Sequence, residues 1–223
     1  MEAGERSTAQ ATLEREWWLR TLAIFQSPRA VFAALRNETT EDIEARAEPV
    51  LALVLLAGMA GVLVAPSTGR LLNESLVDNS MLVVAVLVFI TGALYGAATF
   101  WIGGAVLYVG LRGAGSKGSY LRARHILAFA AAPLVLGLLF VWPVRLAIYG
   151  ADLFRSGGDD TGTGSLVFEL LLGAIGLWAA GLLVYGISVV ERWSAVRSLV
   201  AVALVVLSLL VITFPFLIPL ASR

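Results

Sequence analysis

The chain has 223 residues, 59% of them hydrophobic and 14% charged, with a mean hydropathy of +0.86 and a formal net charge of zero. A soluble domain carries about 25% charged and about 45–50% apolar residues, so the excess apolar surface needs a nonaqueous solvent, and an ordinary water-soluble globule is excluded. Cysteine is absent, which excludes disulfides, thiolate chemistry and cysteine metal sites, and the balanced charge offers no basic footprint for nucleic acid.

The chain begins "MEAGERSTAQ", whose charge balance does not suit a signal-peptide n-region and which no apolar h-region follows; targeting is expected to rest on the first apolar helix. In "TLEREWWLRTLAIF" (12–25), a period of about 100° per residue groups Leu13, Trp17 and Ile24 in a narrow sector, which Trp18, Leu22 and Phe25 widen. Arg15, Glu16 and Arg20 point away; Glu14 is the exception. The pattern predicts an amphipathic helix. It lies either at headgroup level, with Trp17, Trp18 and Phe25 as membrane-interface anchors, or docked on the protein's own bundle. Ser27 and Pro28 suit the N-cap and first position of a second short helix, with Val31, Phe32 and Leu35 on one face. The acidic "NETTEDIEARAEP" reads as a short helix or connector.

Five apolar runs nearly free of charge follow, predicting spans at about 49–66, 81–111, 125–149, 165–190 and 197–219. A helix needs about 20 residues to cross roughly 30 Å of hydrocarbon, a length that all but the first run reach comfortably. The expected fold class is therefore all-α: a polytopic membrane bundle of five transmembrane helices (49–220), preceded by a cytoplasmic region with amphipathic and short helices (1–48). The run 81–111 would be about 46 Å long as one helix. Breaking it at Gly103–Gly104 gives two short helices instead and inverts everything downstream.

Orientation follows from the basic residues, which collect on the cytoplasmic side. With the amino terminus inside, the inner segments hold Arg6, Arg15, Arg20, Arg29, Arg36, Arg46, Arg112, Lys117, Arg122, Arg124, Arg192 and Arg197, leaving only Arg70, Arg145, Arg155 and Arg223 outside. The inverted arrangement would expose "RGAGSKGSYLRAR" outside, against this rule, so one long span is favoured. The result is a multi-pass cell-membrane protein with its amino terminus cytoplasmic and its carboxyl terminus outside. Trp101, about 20 residues into the second run, falls where the inner headgroup belt is expected, with the remaining turns through Tyr108 running obliquely into the interface. Trp142 and Trp193 are likewise expected at the membrane interface.

Three stretches carry a family resemblance. "RTLAIFQSPRAVFAAL" (20–35) resembles the amino-terminal SP-x-x-x-F element of the Yip-domain family. "YLRARHILAFAAAPLVLGLLF" (120–140) is similar to that family's third span, a Tyr-initiated helix with a mid-helix proline. "LWAAGLLVYGISVVERWSAVRSLVAVAL" (177–204) resembles its junction between the fourth and fifth spans. Their order and spacing match the bacterial branch. The segment typical of eukaryotic members, similar to Asp-Leu-Tyr-Gly-Pro, is missing, so the resemblance does not extend to binding Rab GTPases. It implies a non-enzymatic membrane scaffold or organiser.

The remaining motifs carry little chemistry. There is no H-E-x-x-H or G-x-S-x-G, and His125 is the only histidine, so zinc hydrolysis and Ser-His relays lack parts. "GAGSKGS" reads as a flexible linker, and His125 as an interfacial or headgroup contact with a possible pH response. No catalytic, cofactor or metal residue is assigned. Pro133 predicts a kink in the third span. Gly92 and Gly96 form a small-x-x-x-small pattern that permits close helix approach, within the chain or in a homodimer; Gly173, Gly176, Ala180 and Gly181 form a second such surface. Arg145 and Glu169 are the only charges within spans, and their matched depth near the outer boundary predicts an ion pair. No ionisable group lies at mid-membrane, which disfavours ion-coupled transport. The expected partners are the bilayer, other membrane proteins or a second copy. The alternative function is a small permease or channel component that uses the Pro133 kink.

Overall fold

The computed structural model describes residues 2–37, 39–64, 81–154 and 162–207. All regular elements among them are helical. The amino-terminal part folds as α1 (Glu2–Ala23), α2 (Pro28–Ala34) and α3 (Thr40–Ala45). Ser27 stands at the N-cap of α2 with Pro28 in the first turn, and Thr39 caps α3 by accepting from the Asp42 amide. The acidic connector is thus partly a helix, with Glu41 and Asp42 in its first turn, where the helix dipole favours negative charge.

The first apolar run forms α4 (Ala47–Val64), and residues 65 and 66 of the predicted span lie outside the described residues. The second run is one continuous helical rod: α5 (Met81–Ala98), a π segment (Thr99–Gly103) and α6 (Gly104–Gly113). No break occurs at Gly103–Gly104. The wider π turn takes up an extra residue without interrupting the helix, and the hydroxyl of Tyr120 donates to the Trp101 carbonyl within it, at 2.9 Å. Gly104 permits close packing here, because a Cβ at that position would lie 2.5 Å from the Cβ of Arg124.

The third run comprises α7 (Tyr120–Ala130), α8 (Ala132–Leu136), a second π segment (Gly137–Val141) and α9 (Trp142–Tyr149). The interruption at Ala131 has a direct cause. Pro133 has no N–H to offer the Phe129 carbonyl four residues back, and the amide of Leu134 instead bonds the Ala131 carbonyl at 3.0 Å. The π segment lies just before Pro143, where a wider turn relieves the clash of the ring with the preceding turn.

A 3-10 turn (Gly150–Phe154) leads away, and α10 (Thr163–Glu191) and α11 (Ala195–Leu207) follow. Among the described residues, three helices are long and apolar enough to cross a membrane: Leu82–Gly113, Tyr120–Tyr149 and Thr163–Glu191. Two shorter apolar helices, Ala47–Leu63 and Ala195–Leu207, accompany them, and residues 208–219 of the predicted last span lie outside the described residues.

The third run is the axis of the bundle. Over half of its apolar window is buried (56%), against 6% for Thr163–Glu191, which leaves α10 at the periphery. The α7–α8 unit packs against α4 on one side and α10 on the other, while α4 and α5 form the most extensive pair. Gly92 and Gly96 serve that intrachain pair. A Cβ on Gly92 would sit 2.6 Å from the Met59 Cα, one on Gly58 would sit 2.6 Å from the Gly96 Cα, and one on Gly96 would strike the Val54 carbonyl. At Gly173, Gly176 and Gly181, by contrast, a Cβ would meet nothing within 4 Å.

The predicted Arg145–Glu169 ion pair is not formed. Glu169 is exposed and accepts a long hydrogen bond (3.5 Å) from Ser165 one turn earlier on α10. The Arg145 guanidinium instead lies 5.2 Å from the ring centre of Trp142, on its own helix. Equal depth did not make the residues neighbours: Arg145 is directed back along α9, and Glu169 turns outward from the bundle.

Candidate functional site

The amino-terminal helices are locked onto one end of the bundle by a buried polar cluster. Trp17, on α1, is fully buried and tilts against Phe129 of α7, with ring centres 6.2 Å apart. Its indole N–H donates to the Asp42 carboxylate on α3 at 3.3 Å. Arg46, between α3 and α4, is also fully buried. Its guanidinium lies 5.3 Å from the Trp17 ring centre, and its Nη2 donates to Nδ1 of His125 at 3.1 Å. Arginine can only donate, so this bond fixes His125 as the Nε2–H tautomer. Phe100, from the π segment, flanks the imidazole at 5.9 Å.

This cluster explains why the local elements fold as they do. The narrow Leu13–Trp17–Ile24 sector is the docking face, and Trp17 and Ile24 are both 0% exposed. Thr21, within that sector, is buried because its hydroxyl donates to the Trp17 carbonyl at 2.9 Å. Val31, Phe32 and Leu35 continue the docked face along α2. Phe32 fits over Gly186 of α10, where a Cβ would come within 2.6 Å of the ring. Phe25 meets Trp178 edge-on at 5.8 Å, and Phe32 meets Tyr185 at 6.5 Å.

The arginines at this end also stitch elements together. Arg36 donates to the Val189 carbonyl in the last turn of α10, Arg122 donates to the Arg36 carbonyl at 3.1 Å, and Arg197 donates to the Ala114 carbonyl at 2.7 Å. Carbonyls at helix carboxyl ends lack intrahelical donors and favour cations. Residues that sequence treats only as topology signals therefore also hold the junction closed.

The expected interfacial residues divide into two groups. Trp18 and Trp101 are 40% and 49% exposed, and Trp193 is half-buried beneath the Arg197 guanidinium at 4.1 Å. Phe25 is half-buried against Trp178. Trp142 differs from expectation, since it is buried in protein on the inward face of α9, whereas Trp17 follows the docked alternative, buried against Phe129, Asp42 and the Arg46 guanidinium. His125 is likewise buried rather than a headgroup contact, because Arg46 reaches it from the junction of α3 and α4. Arg46 is the residue that the sequence does not single out. Its only sequence signal is a cation three residues before a predicted span start, which the positive-inside rule already absorbs.

Asp42 carries the pH dependence of this junction. Burial alone would raise its pKa, but hydrogen bonds from Thr39 and Trp17 and the nearby Arg20 charge outweigh burial and hold it below the ordinary value of 3.8. A depressed carboxylate contributes stability that is present above the unfolded pKa and lost as pH falls through the folded one. Asp42→Asn should therefore lower the thermal midpoint at pH 7 and flatten its fall as pH drops below about 5, so that the variant and wild type converge in acid. Parallel pH curves for the two proteins would remove Asp42 from this role.

Apolar rods with an arginine-rich end and a docked amphipathic helix define a polytopic α-helical membrane protein. The Yip1 domain model matches residues 22–217, most of the chain, and the protein belongs to that family. Comparison with curated proteins and with solved structures returned no match.

Proposed function

We propose that the protein is a five-span, non-enzymatic membrane scaffold that presents its amino-terminal helices on the cytoplasmic face of the cell membrane. The observation that carries this reading is the two-sided character of α1. Its inner face is fixed to the bundle through Trp17, while Trp18, Leu19 and Leu22 stand 40%, 58% and 66% exposed along its outer side. A helix rigidly held at one end of a bundle, with apolar side chains facing outward, makes a platform for lipid or for another membrane protein. Membership of the Yip1 family is consistent with such a role.

Five spans are reached if α4 and α11 also cross. α4 has 18 residues, about 27 Å at 1.5 Å each, which is close to the hydrocarbon thickness. The 12-to-4 distribution of basic residues favours the amino terminus inside and the carboxyl terminus outside. Cysteine labelling is clean, since the chain has no native cysteine. A cysteine at exposed Lys117 should react with an impermeant thiol reagent only after the membrane is opened, and one at Gly162 should react in intact cells. Labelling of position 117 in intact cells would defeat this topology.

Crosslinking in native membranes from α1 positions 18 and 22 should capture a defined protein or lipid set that is lost when both residues become serine. Saturable solute flux in proteoliposomes, abolished by filling the region around Pro133, would replace the scaffold reading with the permease reading.

A further inference from the structure

Two cavities at the junction end lie end to end along α4 and together outline a trough. The outer one, of about 240 Å³, lies between the start of α4 and the first turns of α7, and includes Trp101, Arg124 and His125 in its lining. The inner one, of about 140 Å³, continues between α4 and α5 to Gly61, Ala131 and Leu134. Val54 and Phe100 line both cavities, so the two adjoin at these side chains. The trough borders α4 from Ala47 to Gly61, about 21 Å at 1.5 Å per residue. A bilayer of about 40–45 Å including headgroups gives each leaflet about 20–22 Å. The trough therefore has the length of one leaflet.

Its polarity also runs in one direction. The inner part is lined by aliphatic and small side chains, with Tyr95 and Thr99 as its only polar ones. Among the described residues, the mouth is lined by a permanent cation, Arg124, and by no carboxylate. The Arg124 guanidinium lies over Phe100 at 4.9 Å and near Tyr120 at 5.5 Å. Its Nε is buried without a hydrogen-bond partner among the described residues. Gly104 presses against the Arg124 Cβ and so holds this side chain at the mouth. Arg46 adds a second buried positive charge behind His125, whose Nε2–H remains a donor. Aromatic rings compensate a guanidinium only weakly compared with a charged oxygen acceptor.

We propose that this trough binds one anionic phospholipid from the leaflet on the α1–α3 side, with its phosphate on Arg124 and one acyl chain running inward past Phe100 to Ala131. The break at Ala131, caused by Pro133, shapes the floor of the acyl channel. The site lies within the chain, and its occupancy does not depend on which side of the membrane α1 faces, so it stands apart from the scaffold and topology readings.

Native mass spectrometry of the full chain in mild detergent, with phosphatidylglycerol or phosphatidylcholine carrying a diazirine near the acyl terminus, tests it. Phosphatidylglycerol should bind about tenfold more tightly. Arg124→Gln should bring the two lipids within about twofold of each other while leaving the thermal midpoint in lipid-free detergent unchanged. Photolabel on wild type should map to residues 127–134 and 95–99, and Ala131→Phe should move it elsewhere. The proposal is overturned by equal binding of the two lipids, by a preference that survives Arg124→Gln, or by label spread along the exposed face of α10. Equal protection by inorganic phosphate alone would also overturn it, since the acyl channel would then contribute nothing. If Arg124→Gln does not fold, the wild-type label map and Arg124→Lys decide: the map must localise to the trough, and the lysine variant must keep part of the preference.

Discussion

Replacing Gly92 with leucine should separate α4 from α5 and lower stability by about 3 kcal/mol or more, the upper range for overpacking a tight contact. A new side chain would meet the Met59 Cγ at 2.8 Å and two backbone atoms, the Met59 Cα at 2.6 Å and the Met59 amide nitrogen at 2.9 Å. Backbone cannot rotate aside, so one helix must move. Gly58 and Gly96 face the same seam, and a shift that relieved Gly92 would lose their contacts too. In a bilayer, lipid tails are as apolar as leucine, so helix pairing relies on close packing rather than on the hydrophobic effect. Gly173→Leu is the control, because a Cβ there meets nothing within 4 Å. Thermal unfolding in detergent should show a large drop for Gly92→Leu and almost none for Gly173→Leu. Equal midpoints for the two variants would mean that the seam is not under packing constraint.

The two small-residue patterns were equally legible in sequence, yet only one is a packed seam. Spacing along a helix shows which residues share a face, but not whether a neighbour covers it. The same limit explains Arg145 and Glu169, whose matched depth was correct as arithmetic while their azimuths diverge. Features governed by solvent transfer or backbone chemistry were readable: the apolar runs, the Ser27–Pro28 helix start and the interruption at Pro133 all follow from local rules. The expectation of one span at 81–111 follows from charge asymmetry, not from the π turn that makes the continuous helix possible. The buried cluster is not readable, since Trp17, Asp42 and His125 come from three separate helices and Arg46 from the junction of α3 and α4. A buried arginine looks like a surface one until its partners are placed around it.

Trp17→Ala should release α1 from the bundle, at a cost of about 3–5 kcal/mol, the range for truncating a buried aromatic. Trp17 is 0% exposed and makes three kinds of contact at once: packing on Phe129, a hydrogen bond to Asp42 and a face for the Arg46 cation. The loss should be local, because α1 meets the bundle through α2, α3 and α4 rather than through the central α7–α8 axis as a whole. Trypsin should then cut at Arg15 and Arg20 in the variant under conditions that leave the wild-type helix intact, while the membrane helices stay protected. Trp18→Ala provides the comparison: Trp18 is 40% exposed, so its loss should leave the trypsin pattern unchanged. Removing Trp17 also takes the aromatic face and apolar cover from Arg46, whose charge is costly once its surroundings are disrupted. Arg46→Leu removes that charge, so adding it to Trp17→Ala should cost less than it does alone. A double variant whose destabilisation equals the sum of the two single ones would show that the tryptophan and the arginine do not act as a unit.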